Sequence, residues 1–307
     1  CVHQTLMQTR PLMPNFGLEV SGVDLSSPID DDSFAEIRDL YFSHSALLFR
    51  GQDLSPASQA SLAHRFGRPK IETRKQFNLK DHPEVSTIGN VKHPDGEDAA
   101  FFVRGGFGWH TDGTSACHVD AATFLYAVEV PKLGGDTLLC STATAYENIP
   151  DALKDQLCDL EMLCSFHAHN DLLLEADPDS HIPLTEQERQ ALPPVWHKIV
   201  QVHPVTGRKV LYMNFHPMEF NSVSLSVGEE WLQEALAVAT QEQYVYTHEW
   251  QPGDLLIWDN HAVLHSGTPT ACYESDRRLM HRSFAYTQPT ERTLENLDEV
   301  NEIFLKA

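Results

Sequence analysis

The chain has 307 residues, 41% of them hydrophobic, enough for a substantial core in one large domain or two small ones. A formal net charge of −22 with no basic patch to offset it would repel nucleic-acid phosphates and anionic membranes, so neither is expected as a partner. No apolar run approaches bilayer length, the opening CVHQTLMQTR lacks the apolar core of a signal peptide, and the six cysteines form no CxxC pair; a cytoplasmic protein without a structural zinc site is expected.

In chain order, GLEVSGVDL (17–25) alternates enough for a strand, and DDDSFAEIRDLYFSHS follows as a helix with acidic residues at its positive N-terminus. ALLFRG (46–51) reads as a buried strand. SPASQASLAHRFG (55–67) carries a Ser cap, a Pro in the first turn and a closing Gly, which together punctuate a short helix. Beyond it the periodicity weakens. EVSTIGNV is a credible strand, but VKHPDGEDAAFFVRGGFG is rich in turn residues, so 68–108 is read as a loop region beside the site, either a lid or a plain connector.

ATFLYAVEV (122–130) and DTLLCS (136–141) flank the turn PKLGG, which predicts a hairpin. TAYENIPDALKDQLCDL is helical, EMLCSFHAH returns as a strand, and the polar, acidic stretch 170–194 reads as an exposed insertion. Strand, turn and strand are expected around HPVTG. A covering helix over 226–241 places Trp231, Leu232, Ala235, Leu236 and Ala239 at helical spacing. DLLIWDN, HAVLHSG and RRLMHRSFAYT complete the strands. Many short strands, with helices early and late, predict a mixed α and β, mainly β fold: one domain over 1–307 built on a double-stranded β-helix (jelly roll) or antiparallel barrel with flanking helices.

The chemistry centres on WHTDGTS (109–115). In an extended segment His110 and Asp112 share a face, so an imidazole and a carboxylate can converge on one ion. Two imidazoles and a carboxylate form the face that holds Fe(II) and leaves positions open for oxygen and a co-substrate, so a distant histidine is required. The same trio also suits Zn²⁺ with an activated water, which keeps a zinc hydrolase open as a remote alternative.

NFGLEVSGVDLSSPI, RFG, WHTD, PKLGGDTL, HPVTGRKVLYMN, WDN and RRLMHR together resemble the TauD/TfdA family of Fe(II)- and 2-oxoglutarate-dependent dioxygenases over nearly the whole chain. The family order of His-x-Asp, Thr or Ser, a distant His and then an Arg falls on His110, Asp112, Thr137, His265 and Arg278. His261 rivals His265 as the third ligand, but the position relative to WDN selects His265. The resemblance implies an enzyme that uses Fe(II), 2-oxoglutarate and O₂, releases succinate and CO₂, and hydroxylates a C–H bond of a small anionic substrate. It further implies that 2-oxoglutarate chelates iron through its C1 carboxylate and ketone while its C5 carboxylate reaches Arg278 and Thr137. A planar guanidinium forks onto a carboxylate better than an ammonium can.

Arg278, Met280 and Arg282 alternate along an apparent strand and would face one pocket, with Arg277 and His281 turned away. By resemblance Arg282 lies near the C1 carboxylate and the anionic end of the primary substrate; a structural ion pair is its other reading. Trp109 is expected to pack beneath the iron and Asn260 to orient its surroundings. With Asp112 present rather than Gly or Ala, halide has no seat on the metal, and halogenation is disfavoured.

The taurine enzymes of the family carry a His shortly after RFG and an Asn shortly before WHTD. Here those positions hold Glu72 and Gly106, so taurine is a poor fit, and alkylsulfonate or alkyl sulfate substrates stand only as the alternative. Glu72 would favour an amine if it lined the pocket and would be solvated otherwise. Arg104 would contact a substrate carboxylate or sit exposed in a loop, and Phe101, Phe102 and Phe107 would supply an apolar wall. These residues point to a carboxylate substrate, aryloxyalkanoate-like or amino-acid-like. A homo-oligomer is compatible with the sequence, and a non-catalytic binding module is disfavoured by the intact five-residue pattern.

Overall fold

Two facing sheets organise the structure, a computed structural model that describes residues 6–101, 108–176, 183–270, 274–289 and 291–306. The larger runs in the order Gln8–Met13, Phe16–Ser21, Ala46–Phe49, Leu255–Asp259, Ala121–Glu129, Leu279–Tyr286 and Arg68–Lys70, with Ser86–Gly89 also paired to Leu279–Tyr286. The smaller comprises Val245–His248, Thr137–Ser141 and Val263–Gly267. The fold is therefore mixed α and β, with the two sheets at its centre and helices on their outer faces.

Strand alternation distributes the core. Leu48, Leu125, Leu256, Trp258 and Met280 of the larger sheet meet Leu139 and Val263 of the smaller one between the layers. On the outer face of the larger sheet, Phe49, Phe124, Leu255 and Ile257 pack against Ile37, Tyr41, Leu62 and Phe66. These come from the helices Asp31–His44 and Pro56–Phe66. Across the molecule, Cys140 and Leu264 pack on Leu153, Leu157, Leu232 and Ala235 of the helices Asp151–Leu157 and Leu225–Ala239. Burying each large side chain contributes roughly 1.5–3 kcal/mol, so the strands at the centre are clamped from both faces. Helix starts follow the sequence signals: Asp30, Ser55 and Ser224 each accept a hydrogen bond from a first-turn amide.

The predicted hairpin across PKLGG does not form. Ala121–Glu129 has both edges taken, by Leu255–Asp259 and Leu279–Tyr286, and Thr137–Ser141 pairs in the other sheet. The turn is a crossing between layers, made through Gly134 and Gly135 at positive φ. EMLCSFHAH is a strand only over Glu161–Cys164, after which Phe166–Ala176 is helical. The stretch 170–194 is not wholly an exposed insertion. It carries the helix Glu186–Ala191 and buries Asn170 and Glu188, because Lys75 reaches across to Glu188 at 2.7 Å. Within 68–108 two short strands join the larger sheet's edge, with the 3-10 turn Lys75–Phe77 between them in the chain.

Candidate active site

His265 sits mid-strand in Val263–Gly267 with its backbone paired to Leu139 on one side. On the other side it exchanges two backbone hydrogen bonds with His110, each 2.9 Å, in an isolated antiparallel bridge. Distant segments thus meet side by side, and their rings lie 4.1 Å apart. Asp112 joins them from a turn that follows the bridge rather than from a continuous strand as expected. Its carboxylate oxygens lie 3.6 Å from His110 Nε2 and 3.5 Å from His265 Nε2. One ligand atom from each of the three falls within 4.8 Å of the others, a set that one divalent ion can bridge.

Neighbouring groups fix this trio. His110 Nδ1 lies 2.7 Å from the Gly108 carbonyl, which orients the ring. Thr123 donates to Asp112 Oδ2 at 3.1 Å and in turn accepts from Asn260 Nδ2 at 2.6 Å. Asn260 Oδ1 accepts from the Asp112 amide and from Trp258 Nε1. Asn260 orients the surroundings as its sequence position suggests; Thr123, an unremarkable β-strand threonine, gave no signal in the sequence. Burial, with His110 nearby, pushes the His265 imidazole down to about 3 and leaves it neutral, a lone-pair donor. Burial alone would raise the Asp112 carboxyl, but His265, the contact with His110 and the charge of Arg282 hold it well below the usual range. A neutral imidazole and an ionised carboxylate are the forms a metal needs.

His261 does not join the trio. It lies in the turn between Leu255–Asp259 and Val263–Gly267, with its Nε2 2.8 Å from Gln201 Oε1 and its ring packed on His203 and Tyr212. Trp109 packs with the core behind the smaller sheet.

Beside the trio lies a cavity of about 120 Å³ lined by Leu125, Asp136, Thr137, Trp258, Arg278 and Arg282 among others. Arg278, Met280 and Arg282 share a face as the alternation requires, and Arg277 turns out to pair with Glu129. The Arg278 backbone is held by Asn90, whose Oδ1 accepts from its amide at 2.7 Å. A Cβ at Gly89 would stand 1.8 Å from the Arg278 carbonyl, so only glycine permits this approach. Desolvation pushes Arg278 down to about 10, still protonated at neutral pH, and no described carboxylate lies within ion-pair distance of its guanidinium. Thr137 Oγ1 accepts from Trp250 Nε1 at 3.0 Å. Asp136 also borders the cavity, where burial and Glu249 raise its carboxyl.

A second, larger cavity of about 300 Å³ adjoins the first and shares Phe101, His110, Asp112 and Arg282 with it. Phe166, Leu192, Met213, Phe215 and Phe284 give it a largely apolar wall. Glu72 lines it but is buried, not solvated, and it is not available to an amine: Arg282 meets it at 2.7 Å and Lys70 at 3.6 Å. Arg282 thus lines the site and is ion-paired within the fold at the same time. Arg104, Gly106 and Phe107, like Phe102, lie outside the described residues.

Residues 8–284 match the family described as Taurine catabolism dioxygenase TauD, TfdA family. The chain belongs to the TauD/TfdA family. An alpha-ketoglutarate-dependent 2,4-dichlorophenoxyacetate dioxygenase of Cupriavidus pinatubonensis is 35% identical over 269 residues, 84% of this chain and 90% of that protein. An (S)-phenoxypropionate/alpha-ketoglutarate-dioxygenase of Sphingobium herbicidovorans is 28% identical over 92% of this chain and 96% of its own length. Among solved structures, AAD-2 in complex with Mn(II) and N-oxalylglycine superposes with a TM-score of 0.73 at 26% identity, covering 93% of this chain and 99% of that one. This TauD/TfdA chain is an Fe(II)- and 2-oxoglutarate-dependent dioxygenase that consumes O₂. The donor set is of the kind that chemistry needs.

Proposed function

We propose that this TauD/TfdA enzyme hydroxylates a C–H bond of a small aryloxyalkanoate-like carboxylic acid, with His110, Asp112 and His265 as the iron ligands. The meeting of two cavities at His110 and Asp112, with His265 bordering the smaller one, carries the reading: the smaller suits 2-oxoglutarate and the larger the substrate. Iron, with 2-oxoglutarate and O₂, would supply the oxidising power there. Arg278 and Thr137 would seat the distal carboxylate of 2-oxoglutarate, because an unpaired, desolvated guanidinium is strongly stabilised by an incoming dicarboxylate. Apolar side chains such as Leu125 and Trp258 would keep water from that pocket.

For the substrate class, the support is the apolar lining of the larger cavity together with relatives that act on phenoxyacetate and phenoxypropionate compounds. We read the two facing sheets as the walls of a jelly roll and the chain as one TauD/TfdA-like domain. Succinate release measured with phenoxyacetate, phenoxypropionate, alkyl sulfates, alkylsulfonates and amino acids tests the proposal. Stimulation by the aryloxy acids is the expected result. Stimulation by the sulfur esters or sulfonates alone would replace the substrate class, and none by any anion would end it.

A further inference from the structure

Among the described residues lining the larger cavity, the cations are Lys70, Arg74 and Arg282 and the carboxylates are Glu72 and Asp112. Asp112 faces the two histidines, and Glu72 is divided between Arg282 and Lys70. Arg74 is the one of the three without a described carboxylate in ion-pair range, and its Nε is buried without a hydrogen-bond partner. Arg282 also has an unpartnered Nε, but its charge is already met by Glu72.

The Arg74 guanidinium lies 4.2 Å from the ring centroid of Phe101 and 5.7 Å from that of Phe166. Ring faces attract a guanidinium without occupying its N–H fork, so the group is held in place with donors to spare. Burial pushes it down to about 10, with Glu72 opposing and Arg282 reinforcing the shift; it stays charged at neutral pH, lacking a counter-ion of its own. Phe101 borders both cavities, so an acid anchored on Arg74 has an aromatic surface leading toward His110 and Asp112.

We infer that Arg74, steadied by Phe101 and Phe166, receives the anionic head of the primary substrate, while Arg282, neutralised by Glu72, shapes the wall beside it. The inference rests on the proposed substrate class and names the cation that reads the acid. Calorimetry under nitrogen with Mn(II) and 2-oxoglutarate tests it, using phenoxyacetate, phenoxypropionate and hexyl sulfate beside phenoxyacetamide, phenoxypropionamide and hexanol. For the anion that wild type binds, Arg74→Gln should raise Kd roughly tenfold or more, while the neutral counterpart stays within about threefold. Arg74→Lys should recover part of the loss, because it restores charge without the fork. KM in aerobic turnover should follow Kd with the 2-oxoglutarate requirement unchanged, and unaltered melting of the variants confirms their fold. Equal binding of the acid by Arg74→Gln overturns the inference, as does an equal loss of acid and amide. Loss on Arg282→Gln alone would place the head on Arg282. Should wild type bind 2-oxoglutarate but none of these anions, the substrate class itself is wrong and the inference falls with it.

Discussion

Arg278, just before the strand Leu279–Tyr286, and Arg282 within it border the same cavity, yet the protein treats their charges in opposite ways. Arg282 is met by Glu72 at 2.7 Å, with side chains 15% and 8% exposed, so its charge is settled within the fold. Arg278 stands in the smaller cavity with its guanidinium unmatched by any described carboxylate. A desolvated charge with its own partner is part of the architecture; one without a partner costs stability until a ligand arrives. The same contrast recurs in the larger cavity between the paired Lys70 and the unpaired Arg74.

The largest effect is expected from Asp112→Ala or His265→Ala, which should reduce succinate release to background; persistence of turnover in either would remove that residue from the metal set. Next comes Arg278→Met, which should raise the 2-oxoglutarate concentration for half-maximal rate by about a hundredfold through loss of a charge-assisted fork. Its melting temperature without 2-oxoglutarate should hold or rise, because an uncompensated charge has gone, and a clear fall would show Arg278 to be structural after all.

Glu72→Gln should do the reverse. It strips Arg282 and Lys70 of their counter-charge and is expected to lower stability by about 3 kcal/mol in denaturant titration. An unchanged midpoint would mean the pair is as dispensable as a surface one. Smallest is Thr123→Val, which deletes the donor to Asp112 Oδ2 and should weaken metal affinity by about tenfold, read by competition with a chelator. If affinity is unmoved, the hold of Asn260 on the Asp112 amide suffices to place that residue.

Much of the site was legible because its chemistry is encoded in residue types and order. His110, Asp112 and His265 converge, and Arg278, Met280 and Arg282 share a face by simple alternation. The route was misread: a one-residue bridge and a turn, not a strand, bring Asp112 round. The PKLGG hairpin failed for a related reason. Nearness along the chain favours pairing, but two later strands had already claimed both edges of Ala121–Glu129.

Residue identity and sequence order determined the reaction, since metal ligation and carboxylate recognition demand particular side chains whatever surrounds them. Which cations remained unpaired was decided only in the tertiary structure. Glu72 and Arg282 are 210 residues apart along the chain and meet across the sheet, and burial sets the strength of their pairing, so no local pattern could reveal that Arg282 was taken and Arg74 was not.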